Sequence, residues 1–410
     1  MKKLISILLL FVAVGIHAQQ LQLFVTVTNT WDKPKADEPV VLSLKDVIRS
    51  DFKVKSAQVI ADGSNIRCQL DDLDGDTYPD ELMFLIDLKP HQKAVCTVTL
   101  SATSSEPLPT VRPRVYADMM LEDKKSKYPL ITSLEAPGSS YIYNDLYHHG
   151  AAFESELTGY RIYFDQRQNI DLYGKKVKRL ELADTHFYTT PAQMSQDYGN
   201  DVLWAGKSVG CGSFKGWDGK SPTNIEPVDI RGQRIISAGP LRTIVEVKDL
   251  GWNGRNMYQR YIMYAGHREC EVQVRFDRPL HADELFCTGV QKIGTDNTEV
   301  RSEGWTRHDG IAASWGCDYP EMGKKEQFPP ETVGLAIYVP QQYIKAEKTD
   351  ELNYLFILGG EGQTSLHYYV SFCADKEKDG YHTADEWFSM LNSWKEGLQH
   401  PAEVKVRNKE

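Results

Sequence analysis

Beyond its first sixteen residues the chain has no apolar run approaching the roughly 20 needed for a membrane-spanning helix, so no membrane partner is expected of its body. Basic residues never gather beyond two or three in a row, and the formal net charge is −10. A nucleic-acid surface needs grouped Lys and Arg to neutralise phosphates and is therefore not expected. The HExxH pattern is missing and no two cysteines stand at Cys-x-x-Cys spacing, which removes zinc peptidases and zinc fingers. Cysteine itself is sparse: seven in 410 residues, odd in number and irregular in spacing, which is not a disulfide framework. Internal repeats are absent. What remains, 41% hydrophobic and 25% charged residues, is the composition of a globular chain long enough for two domains.

Lys2 and Lys3 precede an apolar run from Leu4 to Ile16 that is too short to span a bilayer, and Ala18 offers a small-residue cleavage point before Gln19. Residues 1–18 are therefore expected to be a signal peptide, and the protein to be exported, periplasmic or secreted. No cysteine follows the cleavage point, which argues against a lipid-anchored start. Cys68 alternates with Ile66 and Leu70, and Cys96 with Val98 and Leu100, so both face inward if these are strands. A bridge between them and two buried free thiols are both open.

Residues 19–105 read as a small Ig-like β-sandwich of short alternating strands, for example Leu23 to Val27, Val40 to Leu44, Met83 to Ile86 and Val95 to Leu100. Ser101 to Thr110 is rich in Ser, Thr and Pro and reads as a linker. Residues 106–410 then give one strand-like segment after another, among them Tyr160 to Phe164, Arg242 to Val247, Met257 to Tyr264, Glu269 to Phe276, Val333 to Val339 and Leu366 to Phe372. This predicts a large antiparallel β domain and an all-β protein. One helix is expected near the C-terminus, where Thr383 and Asp385 cap Glu386 to Trp394.

The densest chemistry lies in Tyr147 to Asp165, which holds His148, His149, Glu154, Glu156, Tyr160, Arg161 and Tyr163. Either histidine taken singly is more often a core residue bonded to a carbonyl; the cluster as a whole favours function. Pleating puts Tyr160, Ile162 and Phe164 on one face of a strand and Arg161 with Tyr163 on the other, an arrangement suited to gripping a carboxylate beside a phenolic acid. Asp72, Asp74, Asp76 and Asp80 have the spacing of the first half of a calcium loop, but the glycine sits early and Met83 stands where a bidentate Glu is wanted. The two readings are a structural Ca²⁺ and an acidic hairpin turn bonded to its own backbone. The glycine-rich Gly206 to Gly219 lacks phosphate-loop spacing. Its Trp217 and Asp218 suit stacking on a sugar and bonding its hydroxyls, or a plain surface loop. Lower-weight candidates are His367, read with Tyr369 on the opposite face of its strand, His186 beside Tyr188, and Trp315 with Asp318.

In this order the Asp72 to Glu81 loop, the His-His-Gly segment with its Tyr160-Arg161-Ile162-Tyr163-Phe164-Asp165 strand, and the Trp217-Asp218-Gly219 loop resemble a family of exported Bacteroidota proteins known as a domain of unknown function. The resemblance covers nearly the whole chain after residue 18. It implies a galactose-mutarotase-like β-supersandwich for residues 106–410, and a place in polysaccharide-degrading systems beside unsaturated glucuronyl hydrolases. Some such proteins resemble oligosaccharide dehydratases, which remove water from a terminal uronate to leave a 4,5-unsaturated sugar. No cofactor is required for that reaction.

The residues fit this chemistry. Abstraction of the C5 proton, α to a carboxylate, needs charge stabilisation, expected from Arg161. It also needs a base, His148 or His149, and an acid for the departing C4 oxygen, Tyr160 or Tyr163. Glu154, Glu156, Trp217, Asp218 and His367 are the expected contacts to a uronic-acid-containing oligosaccharide. A hydrolase would instead need two carboxylates, for which Glu154 and Glu156, about 7 Å apart on an extended strand, or Asp218 would serve. A non-catalytic carbohydrate-binding protein or an epimerase relative is the third reading.

Overall fold

The structure is a computed structural model and describes residues 20–48, 52–104, 112–122, 129–185, 187–293, 299–303 and 309–408. The expected signal segment, residues 105–111 of the linker region and His186 lie outside the described residues.

Alternation of apolar and polar positions builds the N-terminal sandwich as expected. In strand Gln20–Thr28 the side chains of Leu23, Val25 and Val27 are buried while Phe24 between them is partly exposed. This strand sits in a five-stranded antiparallel sheet between Lys93–Ser101 and a strand from the far end of the chain, Glu403–Asn408. A three-stranded sheet of Lys35–Ser43, Glu81–Leu88 and Cys68–Asp71 packs against it. The last strand thus belongs to the first domain, which the expected division into 19–105 and 106–410 had not foreseen. Its Val406 packs on the sandwich core. Cys68 and Cys96 lie on different sheets as free thiols, each pushed up to about 11 by burial.

The larger domain is built on a nine-stranded antiparallel sheet running from Glu299–Glu303 at one edge to Ser133–Pro137 at the other. Two five-stranded sheets cover its inner face. The first contains Val115–Asp118, Gly150–Ser155, Thr158–Tyr163, Ile170–Gly174 and Asn200–Asp201. The second contains Lys215–Trp217, Phe286–Gln291 and Asn353–Leu358, with two edge strands. Side chains from all three sheets, such as Tyr160, Phe286, Val272 and Phe372, share one hydrophobic core. This is the all-β architecture expected from the sequence. Helix Ala384–Gln399 is capped by Thr383 through a reciprocal pair of bonds with Glu386, while Asp385 lies in its first turn. Its Trp387, Phe388 and Leu391 pack on Trp315, Ala336 and Tyr338 at the outer face of the nine-stranded sheet.

Buried polar contacts lock the domains together. Gln69 Oε1 accepts from the amides of Leu241 and Arg242, and the Arg242 guanidinium pairs with Asp71 and with Glu81 at 2.9 Å. Arg114 bridges Asp37 and Glu156, both at 2.7 Å. Removing residues 403–410 should strip one edge from the N-terminal sheet and expose Val406's site. A loss of about 1 kcal/mol is expected from the half-buried side chain, seen as a lowered melting temperature in calorimetry; an unchanged melting temperature would refute the strand's structural role.

Candidate functional site

The strand Thr158–Tyr163 divides as its pleat requires. Tyr160 and Ile162 enter the core, and Arg161 and Tyr163 take the outer face of the first five-stranded sheet. Around Arg161 that outer face is closed to water, while Tyr163 at the strand end is partly exposed. Residues 181–185 and 187–189 roof it, and the groups beneath are paired. Glu154 binds Lys175 at 2.5 Å and accepts three bonds from the amides of Glu181 and Leu182. Tyr173 donates to Glu181 at 2.9 Å.

Arg161 is 0% exposed. Its guanidinium pairs with Asp171, lies 3.6 Å from Asp201, donates to the Phe187 carbonyl at 2.6 Å and packs 3.9 Å from the Phe187 ring centre. Burial and then repulsion from Asp171 hold Asp201 well above the usual carboxylate range. The guanidinium expected to clamp a substrate carboxylate is therefore committed to two internal carboxylates, because the roofing segment closes over it. Tyr160 likewise stands apart from solvent: its hydroxyl donates to the Arg268 carbonyl at 2.8 Å inside the core. His148 is 1% exposed and belongs to the interior.

His149 lies at the edge of this layer, half-buried. Its backbone is left-handed, with φ of +58°, and Gly150 follows at +154°. A side chain at Gly150 would strike the Ile162 carbonyl, since an added Cβ falls 1.9 Å from it. A histidine in this backbone region is uncommon and marks a position held by its surroundings. The imidazole stacks on Tyr143 with ring centres 3.8 Å apart, leans on Phe187 at 4.4 Å and meets Tyr163 edge-on at 6.0 Å. Nδ1 lies 3.0 Å from the Tyr143 carbonyl oxygen, which can only accept, so Nδ1 carries the proton and Nε2 keeps its lone pair. Burial lowers the His149 pKa, favouring the neutral ring. Burial also holds the phenols protonated, Tyr143 up to about 12 and Tyr163 well above its ordinary value. Asp171 is within reach of the Tyr163 hydroxyl, so the Arg161 pair also orients this phenol.

Sequence reasoning missed Arg167. Its guanidinium carbon lies 5.1 Å from the Tyr143 ring centre and 5.3 Å from that of Tyr163, one carboxylate, Asp165, holds it from behind, and its side chain is 34% exposed. Its place four residues past the strand end was the one available signal. Phe187 and Tyr143, which enclose the imidazole, gave none.

The other candidates lie elsewhere. Glu156 is held by Arg114 and by the Gly266 amide at the domain junction. Trp217 and Asp218 form an edge hairpin of the second five-stranded sheet, where the exposed Asp218 carboxylate caps the amides of Lys220 and Ser221. The preceding glycine-rich stretch is no surface loop. Residues 208–216 are buried, and the Gly212 carbonyl accepts from Tyr368 at 2.7 Å. His367 is on the outer face of the nine-stranded sheet and bonds the Tyr343 hydroxyl at 3.0 Å. Tyr369 lies on the same face, 6.2 Å away between ring centres, as residues two apart on a strand must. Trp315 is buried beneath the C-terminal helix, and Asp318 accepts from the next amide. Asp72, Asp74 and Asp80 bring oxygen atoms within 4.8 Å of one another. Each also accepts backbone amides within the loop, while Asp76 turns to the Tyr78 amide at 2.8 Å.

A chain of two docked all-β units, the larger a multi-sheet sandwich with a histidine–tyrosine–arginine cluster at its rim, is the class of protein defined here. Residues 27–404 match the family described as Domain of unknown function (DUF4861), and the chain belongs to that family. No curated protein matches the chain. Among solved structures it is similar to an α-mannosidase from Enterococcus faecalis V583, at 8% identity and TM-score 0.46, covering 95% of this chain and 46% of that one. It is also similar to a glycosyl hydrolase family 38 protein from Enterococcus faecalis, at 8% identity and TM-score 0.47, covering 94% and 47%. The chain thus spans about half the length of these structures, and likeness at this level carries no argument about activity.

Replacing Arg161 with Ala should cost about 3–5 kcal/mol, because Asp171 and Asp201 would be left buried without their counter-charge. Urea denaturation checks this. A fully stable variant would mean that Arg161 is not the keystone of this layer.

Proposed function

We propose that this protein is a carbohydrate-active eliminating enzyme, a dehydratase or lyase that forms a 4,5-unsaturated uronate at the end of an acidic oligosaccharide. The observation that carries this reading is the His149 imidazole, fixed as the Nδ1–H tautomer by the Tyr143 carbonyl and kept neutral by burial, with protonated phenols and the Arg167 guanidinium around it.

In this reading His149 Nε2 takes the C5 proton of the uronate. The electron pair of that bond forms the C4=C5 double bond, and the C4–O bond breaks. The Tyr163 hydroxyl, with Tyr143 beside it, gives its proton to the departing oxygen. In a dehydratase this releases water, and in a lyase the next sugar. The tyrosinate regains a proton from the His149 imidazolium through solvent. Arg167 replaces Arg161 as the group that faces the substrate carboxylate and offsets the charge building on it. Arg161 positions Tyr163 by way of Asp171. The hydrolase alternative loses support, since Glu154 is buried in an ion pair with Lys175 and Glu156 is tied to Arg114. Export from the cytoplasm belongs to the same proposal and rests on the residues 2–18 pattern.

Incubation with uronate-terminated oligosaccharides should raise absorbance near the ultraviolet edge as the conjugated product forms. Reducing ends released without that chromophore would overturn elimination. His149→Ala should lower turnover at least about 100-fold, and Arg167→Ala should reduce it while thermal stability stays close to that of the parent; full activity in both would remove the assigned site. The base acts as neutral imidazole, so its protonation on acidification removes activity. Because the His149 pKa is lowered, kcat/KM should hold as pH falls through the ordinary histidine value of 6.5 and drop only below it. An acid limb centred above 6.5 would exclude His149 as the base.

A further inference from the structure

The outer face of the nine-stranded sheet carries a second charged cluster that this elimination chemistry does not use. Strand register places Arg234, Glu246 and Arg260 side by side across three strands. One row along, Lys248, Tyr258 and Arg275 are neighbours in the same way. Three guanidiniums share the Glu246 carboxylate: Arg234 at 3.2 Å, Arg260 at 2.7 Å and Arg275 at 2.8 Å. Lys248 pairs with Glu135. Four cations face two carboxylates, an excess of two positive charges, in a chain whose formal net charge is −10.

A structural role explains part of this. Arg234 and Arg260 also donate to the Leu73 carbonyl of the N-terminal domain, at 2.8 and 3.5 Å. Arg275 makes no such contact. Its side chain is 41% exposed, and among the described residues its one ion pair is with a carboxylate already shared and its buried Nε has no hydrogen-bond partner. Burial and the neighbouring Arg260 both work against its charge. Among the described residues the adjoining loop makes no ion pair with Arg275: Asp72, Asp74 and Asp76 accept amides within their own loop.

Beside Arg275 lies a cavity of about 310 Å³ with Arg234, Glu246, Lys248 and Tyr258 in its walls and Gly232 among its lining residues. An added Cβ at Gly232 would lie 3.0 Å from Glu135 and 3.5 Å from Lys248, so the missing side chain keeps this space free. The cavity is of the size that holds a small ligand. Its Tyr258 ring, 5.8 Å from the Arg275 guanidinium carbon, offers a face for a sugar.

We propose that this cavity binds an anionic sugar unit of an acidic glycan, with Arg275 and Lys248 holding its carboxylate or sulfate and Tyr258 lying under its ring. The site is on the opposite side of the nine-stranded sheet from the core that supports His149, and would grip the glycan away from the reacting end. The inference rests on the reading that the substrate is an acidic glycan.

Calorimetric titration of the full chain with tetragalacturonate, with a sulfated galactan tetrasaccharide and with neutral galactotetraose tests it. Binding of at least one anionic probe and none of the neutral one is expected, weakening as salt rises. Arg275→Gln and Lys248→Gln should each weaken this binding about tenfold and lower the number of bound equivalents by one, while melting at the parent temperature. Isotherms that superimpose on the parent's in both variants, or equal binding of the neutral probe, would overturn the site. The two proposals fail separately. Loss of turnover in His149→Ala with unchanged binding in Arg275→Gln sinks this site and leaves the elimination reading intact. Weakened binding in Arg275→Gln with full turnover in His149→Ala does the reverse.

Discussion

A guanidinium with no exposure is the constraint on which the first five-stranded sheet is organised. The pleat of Thr158–Tyr163 sends Arg161 outward while its neighbours enter the core, and residues 181–185 and 187–189 then close over it. A charge removed from water must be balanced inside the protein. Asp171 on the adjacent strand and Asp201 beyond it do this. Once Asp171 is held there, the Tyr163 hydroxyl has a fixed acceptor within reach. Phe187, whose carbonyl accepts from Arg161, has its ring set against the His149 imidazole. The rim cluster therefore inherits its geometry from an ion pair buried away from solvent.

Which parts of this were legible follows from the range of the interactions. Strand identity is written locally, in alternations such as Leu23, Val25 and Val27 or Tyr160 and Ile162, and these faced the core as read. The cap of the C-terminal helix is equally local, a Thr383 to Glu386 spacing. The solvent exposure of the opposite face is not local at all. Arg161 and Tyr163 do share a face, but whether that face meets water depends on a segment about twenty residues further on with no periodic signature. The same blindness made Glu154 look like a carboxylate free to act, when Lys175 and two amides from the roof already hold it. The closing strand Glu403–Asn408 was unreadable for a related reason: its partner Gln20–Thr28 lies at the other end of the sequence.

Within the rim, backbone geometry explains why a short polar segment yields one half-buried base at the edge and not two. His148 and His149 are adjacent, yet the left-handed turn at His149 and the glycine after it direct the first ring inward and leave the second at the edge. The aromatic wall of Tyr143 and Phe187 then lowers the imidazole's affinity for a proton by withholding water. The Tyr143 carbonyl decides which nitrogen bears the remaining one. Neither effect is encoded in a motif; both arise from the packing of residues from three separate segments.

The two faces of the large domain handle charge in contrasting ways, and the contrast bears on how a long acidic chain would meet this protein. Under the roof of the first five-stranded sheet Lys175 is paired with Glu154 and Arg161 lies between two carboxylates, and burial raises Asp201 well above its ordinary range, so this layer presents little positive field. On the outer face of the nine-stranded sheet the ratio is reversed, with three guanidiniums around Glu246. In a chain of net charge −10 such an excess is a local departure from the overall field, and its range is set by the Debye length of about 8 Å at physiological salt. If the two proposed sites hold, a polyanion repelled by the molecule on average would meet cations at two places, the Arg167 rim and the Arg275 cavity. Two separated anchors of modest strength orient a chain better than one strong one, because each fixes a different point along it.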